Sequence, residues 1–480
     1  MTNPCDLSAL KARRLIGRKA LSPVELTNSC IERIAQVDGA LNAITALDAA
    51  VALAAAKQAE EDVVRGEPLG LLHGLPVGIK DLQATKGLRT TYGSLLYENN
   101  VPDTDDSVVA NVRAEGGIIL AKTNTPEFGA GANTTNKIFG ATGNPFDRDK
   151  TCGGSSGGSG VAVATGMVPL ATGSDHGGSL RTPATFCGVV GFRPSPGLVP
   201  RLTRPVSLLP MPVLGPMARS VEDAHLLLLA QLDADKDDPF SSDDMLRIPD
   251  ALSGTDLGSL RVAFSKDLGC APIDSAVGKV FEERKGIIAP FFASAHDRDP
   301  DLSDVHEAFE ILRAVQFVAA HKERLENNRD RLGPNVINNT ERGLKYSLPD
   351  VAWAHKAQTA LYTKFRRFFD DADILICPAA SVSPFPHAQL FVEEINGEKM
   401  PTYMRWLAMT YALTMALPSA LCLPCGLDHL GMPFGIQVVG PIGSDAFVLE
   451  VAHSLEQALA GNAETARPQP DLRKLEQASS

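Results

Sequence analysis

The chain has 480 residues, 44% of them hydrophobic, enough for a large buried core, and a formal charge of −12. That balance, with no basic cluster, argues against nucleic acid or an anionic membrane as a partner. Eight cysteines scattered over this length fit a reducing compartment better than a disulfide framework.

Met1–Asp6 holds neither a basic stretch nor an apolar run, so no secretory signal is expected and the cytoplasm is the expected location. Ser22-Pro23-Val24-Glu25 carries a helix-start signature: a serine cap, a proline in the first turn and an acid near the positive helix end. Ala- and Leu-rich spacing up to about Val64 predicts two or three helices. From Gly70 to Pro200 short apolar strands should alternate with helices. One of them, Gly74-Leu-Pro-Val-Gly78-Ile79-Lys80-Asp81, is an apolar run ending on a single lysine. A lysine in apolar surroundings loses the hydration of its charged form, so its pKa falls and it can act as a base near neutral pH. Against this, such lysines often snorkel to water, and a carboxylate at Asp81 would favour the ammonium. At this level both readings of Lys80 stand.

Thr151–Gly197 is the most informative segment. It reads Thr-Cys-Gly-Gly-Ser155-Ser156-Gly-Gly-Ser-Gly, then an apolar stretch, then Gly-Ser-Asp175-His176-Gly177-Gly178-Ser179-Leu-Arg181. Glycines allow positive φ and close backbone approach, and serines beside them present hydroxyls next to free N–H groups, which acyl transfer requires. Gly-Ser runs are also linkers, but both loops join strongly apolar sequence and so belong to a folded interior. A phosphate-binding loop needs a lysine closing the glycine run, and none lies between Thr151 and Gly197.

Ala230–Asp250 is acidic and polar (Asp233–Asp238, Ser241–Asp244) and reads as a surface loop and the best candidate boundary. Val280–Phe369 should be largely helical, interrupted at Asn327–Asn339. Trp406–Leu427 is uncharged for over twenty residues, yet Pro418 and Pro424 break it, so a buried helix running into a buried strand is expected rather than a membrane span. Cys422-Leu-Pro-Cys425 lacks a second metal-binding pair and reads as two core residues. Residues 466–480 read as a disordered tail.

Lys80, the Gly-Gly-Ser155-Ser156-Gly-Gly loop and Asp175-His176-Gly177-Gly178-Ser179-Leu-Arg181 resemble the amidase signature family in order and spacing. The likeness extends through Pro183-Ala-Thr-Phe-Cys187-Gly-Val-Val-Gly-Phe-Arg-Pro194. It also includes Ala121-Lys-Thr-Asn-Thr-Pro126-Glu-Phe-Gly129, Phe139-Gly-Ala-Thr-Gly-Asn144-Pro, Asp373–Pro378 and Gly431–Gly440.

The resemblance implies one α/β domain over 1–480, layered α/β/α, with a central mixed β-sheet covered by helices and the site at one sheet edge. Within it, 1–69 would form N-terminal helices and 70–200 the signature core. Residues 230–370 would form a more variable helical region, and 371–465 a return to the core sheet. It implies Ser179 as the nucleophile, Ser155 behind a cis peptide bond as the bridge, and a neutral Lys80 as the ultimate base. The N–H groups of His176, Gly177, Gly178 and Ser179 would face the oxyanion, with Ser156, Asp175 and Arg181 bracing the loop. Gly129, Gly131 and His176 are candidate substrate contacts. Met404, Trp406 and Met409 are candidate pocket walls for which core packing is the competing reading.

No cofactor or metal is implied, the partner is a small-molecule amide, and a homodimer is the oligomer that similar proteins suggest. The leading function is a stand-alone amidase releasing ammonia or an amine from a small carboxamide. The alternative within the family is the glutamine-hydrolysing A subunit of a tRNA-dependent amidotransferase. Thr125-Pro-Glu-Phe-Gly129-Ala-Gly131 is more similar to stand-alone amidases. A catalytically silent scaffold is the alternative of another class, and the presence of both serines with the lysine argues against it.

Overall fold

Eleven strands drawn from residues 44 to 440 form one mixed sheet in the computed structural model, which describes residues 3–206, 208–242 and 247–479. In chain order the strands are β1 (Ile44–Leu47), β2 (Pro76–Lys80), β3 (Ile118–Thr123), β4 (Thr135–Asn136), β5 (Gly140–Ala141), β6 (Leu170–Asp175), β7 (Val190–Arg193) and β8 (Val213–Ala218). They continue as β9 (Arg261–Phe264), β10 (Ser294–Asp297), β11 (Ile374–Pro378), β12 (Glu394–Ile395), β13 (Glu398–Lys399), β14 (Ser419–Leu427) and β15 (Pro433–Gly440). The sheet order is β1-β3-β2-β6-β8-β7-β14-β15-β11-β9-β10, while β4–β5 and β12–β13 form separate ribbons. β2 runs parallel to both β3 and β6, whereas β6–β8 and β14–β15 pair antiparallel.

The helices are α1 (Ala9–Gly17), α2 (Pro23–Leu41), α3 (Ala49–Arg65), α4 (Ser107–Ala114), α5 (Gly157–Ala164), α6 (Arg181–Cys187) and α7 (Val221–Gln231). After them come α8 (Ser275–Ile288), α9 (Val305–Asn328), α10 (Pro334–Gly343), α11 (Leu348–Phe368), α12 (Ala408–Thr414), α13 (Asp445–Ala460) and α14 (Leu472–Ser479).

Alternate residues of the strands enter different cores, which shows the layering. Ile374, Ile376, Leu421 and Val438 pack with α2, α7 and α13, whereas Leu375, Cys377, Ala420 and Val439 pack with α9, α11 and α12. Successive side chains of a strand point to opposite faces, so the sheet is covered on both sides by helices. This is the expected α/β fold with a mixed sheet.

Three helices precede β2, and α2 begins as expected: Ser22 Oγ accepts from the Val24 N–H at 2.9 Å while Glu25 accepts from the Ser22 N–H at 3.1 Å, a reciprocal capping box. Trp406–Leu427 becomes α12 followed by β14, and Cys422 and Cys425 are buried free thiols in that strand. Among the described residues, no helix is long and apolar enough to cross a membrane.

Four expectations change. The site lies at no lateral sheet edge: β2 and β6 are third and fourth in the order of eleven, and it sits at their C-terminal ends. The tail expected to be disordered includes α14, where Leu475 is buried and Ser479 Oγ accepts from the Ala40 N–H of α2 at 3.0 Å. Within the helical region 280–369, β10 joins the sheet edge beside β9; its Ser-Ala-His-Asp sequence is largely exposed and carried no apolar signal. In the acidic stretch, Asp238 is buried and pairs with Arg204 at 2.9 Å rather than lying on the surface. Asp243 and Asp244 of that stretch lie outside the described residues.

Candidate active site

β2 and β6 run side by side, so their last residues, Lys80 and Asp175, emerge at one end of the sheet. The two serine loops close over that end, one leading into α5 and the other into α6. Two glycines show why the loops need them. A Cβ on Gly158 would lie 2.3 Å from the Asn124 nitrogen, and one on Gly178 (φ +119°) would lie 2.1 Å from Thr410 Oγ1.

Lys80 is fully buried, and its Nζ reaches three hydroxyls: Ser155 Oγ at 2.8 Å, Ser156 Oγ at 2.8 Å and Ser174 Oγ at 2.9 Å. Burial pulls its pKa well below the ordinary lysine value; Asp175 opposes the shift and Arg201 reinforces it. The snorkelling alternative is thereby excluded. Asp81 does not neutralise the lysine, because its carboxylate accepts from the Thr91 N–H and Oγ1 instead. The Gly154–Ser155 peptide bond is cis. Ser156 ties the loops together: its N–H donates to the Ser179 carbonyl at 3.2 Å, and its Oγ accepts from the Ser174 N–H at 3.3 Å.

Asp175 and Arg181 brace the loop that carries Ser179. Arg181 donates to Asp175 through Nε and Nη2, each at 3.0 Å, and also holds Thr410, Thr414 and Gln437. Arg193 adds a second cation at 3.2 Å. Burial pushes the Asp175 carboxyl up, but the two guanidiniums outweigh it and hold the group well below the usual carboxylate range. Asp175→Ala would leave both fully buried arginines without their carboxylate. We expect a loss of about 3–5 kcal/mol, read from urea unfolding midpoints; an unchanged midpoint would show that the triad does not stabilise the fold.

The same aspartate alters the expected oxyanion set. The Gly178 N–H donates to Asp175 Oδ1 at 2.9 Å, so it shapes the loop rather than facing the cleft. Among the described residues, no acceptor engages the N–H groups of His176, Gly177 or Ser179.

A cleft of about 130 Å³ opens above Ser155 and Ser179, with Gly129 and Gly131 on one wall and Met404 on another. Trp406 and Met409 are core residues, and Trp406 packs edge-on against Phe385 at 5.3 Å. The His176 ring lines the cleft and meets Phe309 edge-on at 5.9 Å, while Phe309 stacks on Tyr411 at 4.3 Å. Burial, then Arg313 and Arg201, push the His176 pKa well below its ordinary value, so the imidazole is neutral. Sequence reasoning missed Ser174, Arg193, Arg201, Arg313 and Gln316. The signal for Arg313 was its position midway between Phe309 and Phe317, four residues from each, on the apolar face of α9.

Residues 25–449 match the model of the Amidase family. The chain is 32% identical over 478 residues to the glutamyl-tRNA(Gln) amidotransferase A subunit of Acaryochloris marina, a match covering 92% of this chain and 95% of that protein. Among solved structures, a bacterial aryl acylamidase of the amidase signature family superposes with a TM-score of 0.86 at 26% identity, covering 98% of both chains. The glutamyl-tRNA(Gln) amidotransferase A subunit of Thermotoga maritima superposes with a TM-score of 0.76 at 26% identity, covering 98% of this chain and 99% of that one.

Proposed function

The chain belongs to the amidase signature family, and on that premise we propose that Ser179, Ser155 and Lys80 hydrolyse the C–N bond of a small carboxamide through an ester on Ser179. The observation that carries this reading is the buried Lys80 Nζ, held against the Ser155 and Ser156 hydroxyls beneath the Ser179 loop. Ser179 Oγ attacks the carbonyl carbon while its proton passes to Ser155, which gives its own to neutral Lys80. The carbonyl electron pair moves to oxygen, where the N–H groups of His176, Gly177 and Ser179 meet the charge. Lys80 returns the proton through Ser155 to the nitrogen, the C–N bond breaks, and ammonia or an amine leaves. Water then adds to the ester by the same proton route, releasing a carboxylic acid and restoring Ser179. Ser155 and Ser179 line the same cleft but share no hydrogen bond in the structure, so the proton step requires the Ser179 hydroxyl to come within hydrogen-bond reach of Ser155 when substrate is bound.

A second reading has its own support: curated relatives 32% identical to this chain, from Acaryochloris marina and a Cyanothece strain, are amidotransferase A subunits, and they weigh more for that role than for a stand-alone enzyme. In it the chain would release ammonia from glutamine for partner proteins. Ammonia release from aliphatic, aromatic and amino-acid amides, with glutamine in the panel, separates the two. Turnover of a simple amide is the expected result. Weak turnover of glutamine alone would transfer the chain to the second reading, and no turnover of any amide would overturn the amidohydrolase.

A further inference from the structure

We propose that the amide taken by this cleft carries a carboxylate, bound by Arg313 from α9 and by Arg201 from the facing loop. Both side chains line the cleft. Arg313 is 5% exposed, yet among the described residues its guanidinium meets only neutral groups: the Asn339 side-chain oxygen, the Phe317 ring at 4.3 Å and the Tyr403 ring at 5.6 Å. Glu310, one turn away, is committed to Arg342 at 2.6 Å and Thr402 at 2.9 Å. The Arg201 guanidinium makes no hydrogen bond or ion pair among the described residues, and nearby Asp238 is taken by the Arg201 N–H and by Arg204, each at 2.9 Å.

A buried guanidinium without a counter-charge is costly, and the planar fork of arginine matches a carboxylate. Arg313 is such a group, and the half-buried Arg201, whose guanidinium has no direct partner among the described residues, faces the same cleft of a chain whose formal charge is −12. An independent observation points the same way. Gln316, three residues beyond Arg313 on α9, also lines the cleft, is 7% exposed, and its Nε2 has no hydrogen-bond partner. Buried polar groups are rarely left unsatisfied, and this donor beside Arg313 suits an anionic oxygen.

The cleft also disfavours a free amino group. Among the described residues lining it, Asp175 is the only carboxylate, and Arg181 and Arg193 hold it. An α-ammonium would therefore meet two guanidiniums and no counter-charge.

This inference rests on the amidohydrolase reading, and its test separates the two. Values of kcat/KM are measured for monoamides of dicarboxylic acids (succinamate, glutaramate, phthalamate) and for their methyl-capped neutral counterparts. At least one charged amide should exceed its neutral partner by about 10–100-fold, the range for hydrogen bonds to charged groups. Glutaramate should also exceed glutamine. The charged-to-neutral ratio should fall towards one in Arg313→Gln and decrease in Arg201→Gln, whose parent guanidinium has no hydrogen bond or ion pair among the described residues to lose. Ser179-dependent turnover without charge preference, or a preference that both variants keep, overturns the carboxylate and leaves the amidohydrolase standing. If no amide turns over, the amidohydrolase reading fails, and calorimetric titration with glutarate decides the charge question. Binding to wild type that is lost in Arg201→Gln supports the proposal; no binding to wild type overturns it.

Discussion

Ser179→Ala is expected to abolish acyl-enzyme formation and to lower kcat by on the order of 10⁶, the scale for a lost serine nucleophile. The fold should not notice. Among the described residues, the Ser179 Oγ makes no hydrogen bond, and the loop is held by other atoms: the Gly178 and Leu180 N–H groups on Asp175, and the Ser179 carbonyl on the Ser156 N–H. The melting midpoint should therefore match wild type while chemistry disappears. The N–H groups of His176, Gly177 and Ser179 survive the change, so a small residual rate above that in water is expected. Intact mass spectrometry after mixing with an activated ester should show one added acyl group on wild type and none on the variant. Unimpaired amide turnover in Ser179→Ala would remove it as the nucleophile.

The parts of this site visible in the sequence are those whose chemistry is local. Ser155, Ser156 and the Asp175–Arg181 run sit within two short glycine-bearing segments, and Lys80 ends a strand-like apolar run. The structure adds what chain distance hides. Ser174 completes the lysine's three hydroxyls; the sequence reads it as one more serine of a glycine loop, and only its place near the end of β6, beside β2, brings it to Lys80. Gly178 was placed with the oxyanion donors because neighbouring N–H groups in a glycine loop look equivalent in sequence; the Asp175 carboxylate, three residues back, distinguishes it. Arg201 and Arg313 are over a hundred residues apart, and no local pattern announces that they face one cleft. The fold shows the same division: hydrophobic runs reveal the central strands, whereas β10 is a short, largely exposed edge strand and α14 is eight polar-rich residues with one buried leucine, so neither offers an apolar run.

This division explains why chemistry and substrate are legible at different depths. Acyl transfer needs a nucleophile, a base and donors in a fixed arrangement, and one strand end with two loops can supply them. In the carboxylate proposal, substrate choice draws on residues far away in the chain, on α9 and on the loop that carries Arg201. In this chain α9 brings a guanidinium and an amide donor among aromatic rings.

Lys80→Ala tests the base and should separate catalysis from folding most sharply. In the folded protein the lysine's pKa lies below its unfolded value, with burial the main cause. The unfolded chain therefore binds more protons than the folded one across the interval between those two pKa values. The site costs no stability above the unfolded pKa, and its penalty grows as the pH falls through that interval until it levels off below the folded pKa. The variant loses three hydroxyl partners but also the cost of stripping a proton from the lysine on folding, so it should fold with a melting midpoint near wild type. Activity has the opposite dependence on this residue. Only the neutral amine accepts the proton relayed from Ser179, so kcat/KM in wild type should rise with pH through the folded pKa of Lys80 and level off above it. In Lys80→Ala the rate should fall by at least about 10²–10⁴, and the remaining activity should climb with hydroxide without that plateau. Methylamine, small enough for the space left by the side chain, should recover part of the rate in proportion to its unprotonated fraction. A variant that keeps the wild-type rate, or the wild-type pH profile, would show that the proton leaves Ser179 by another route.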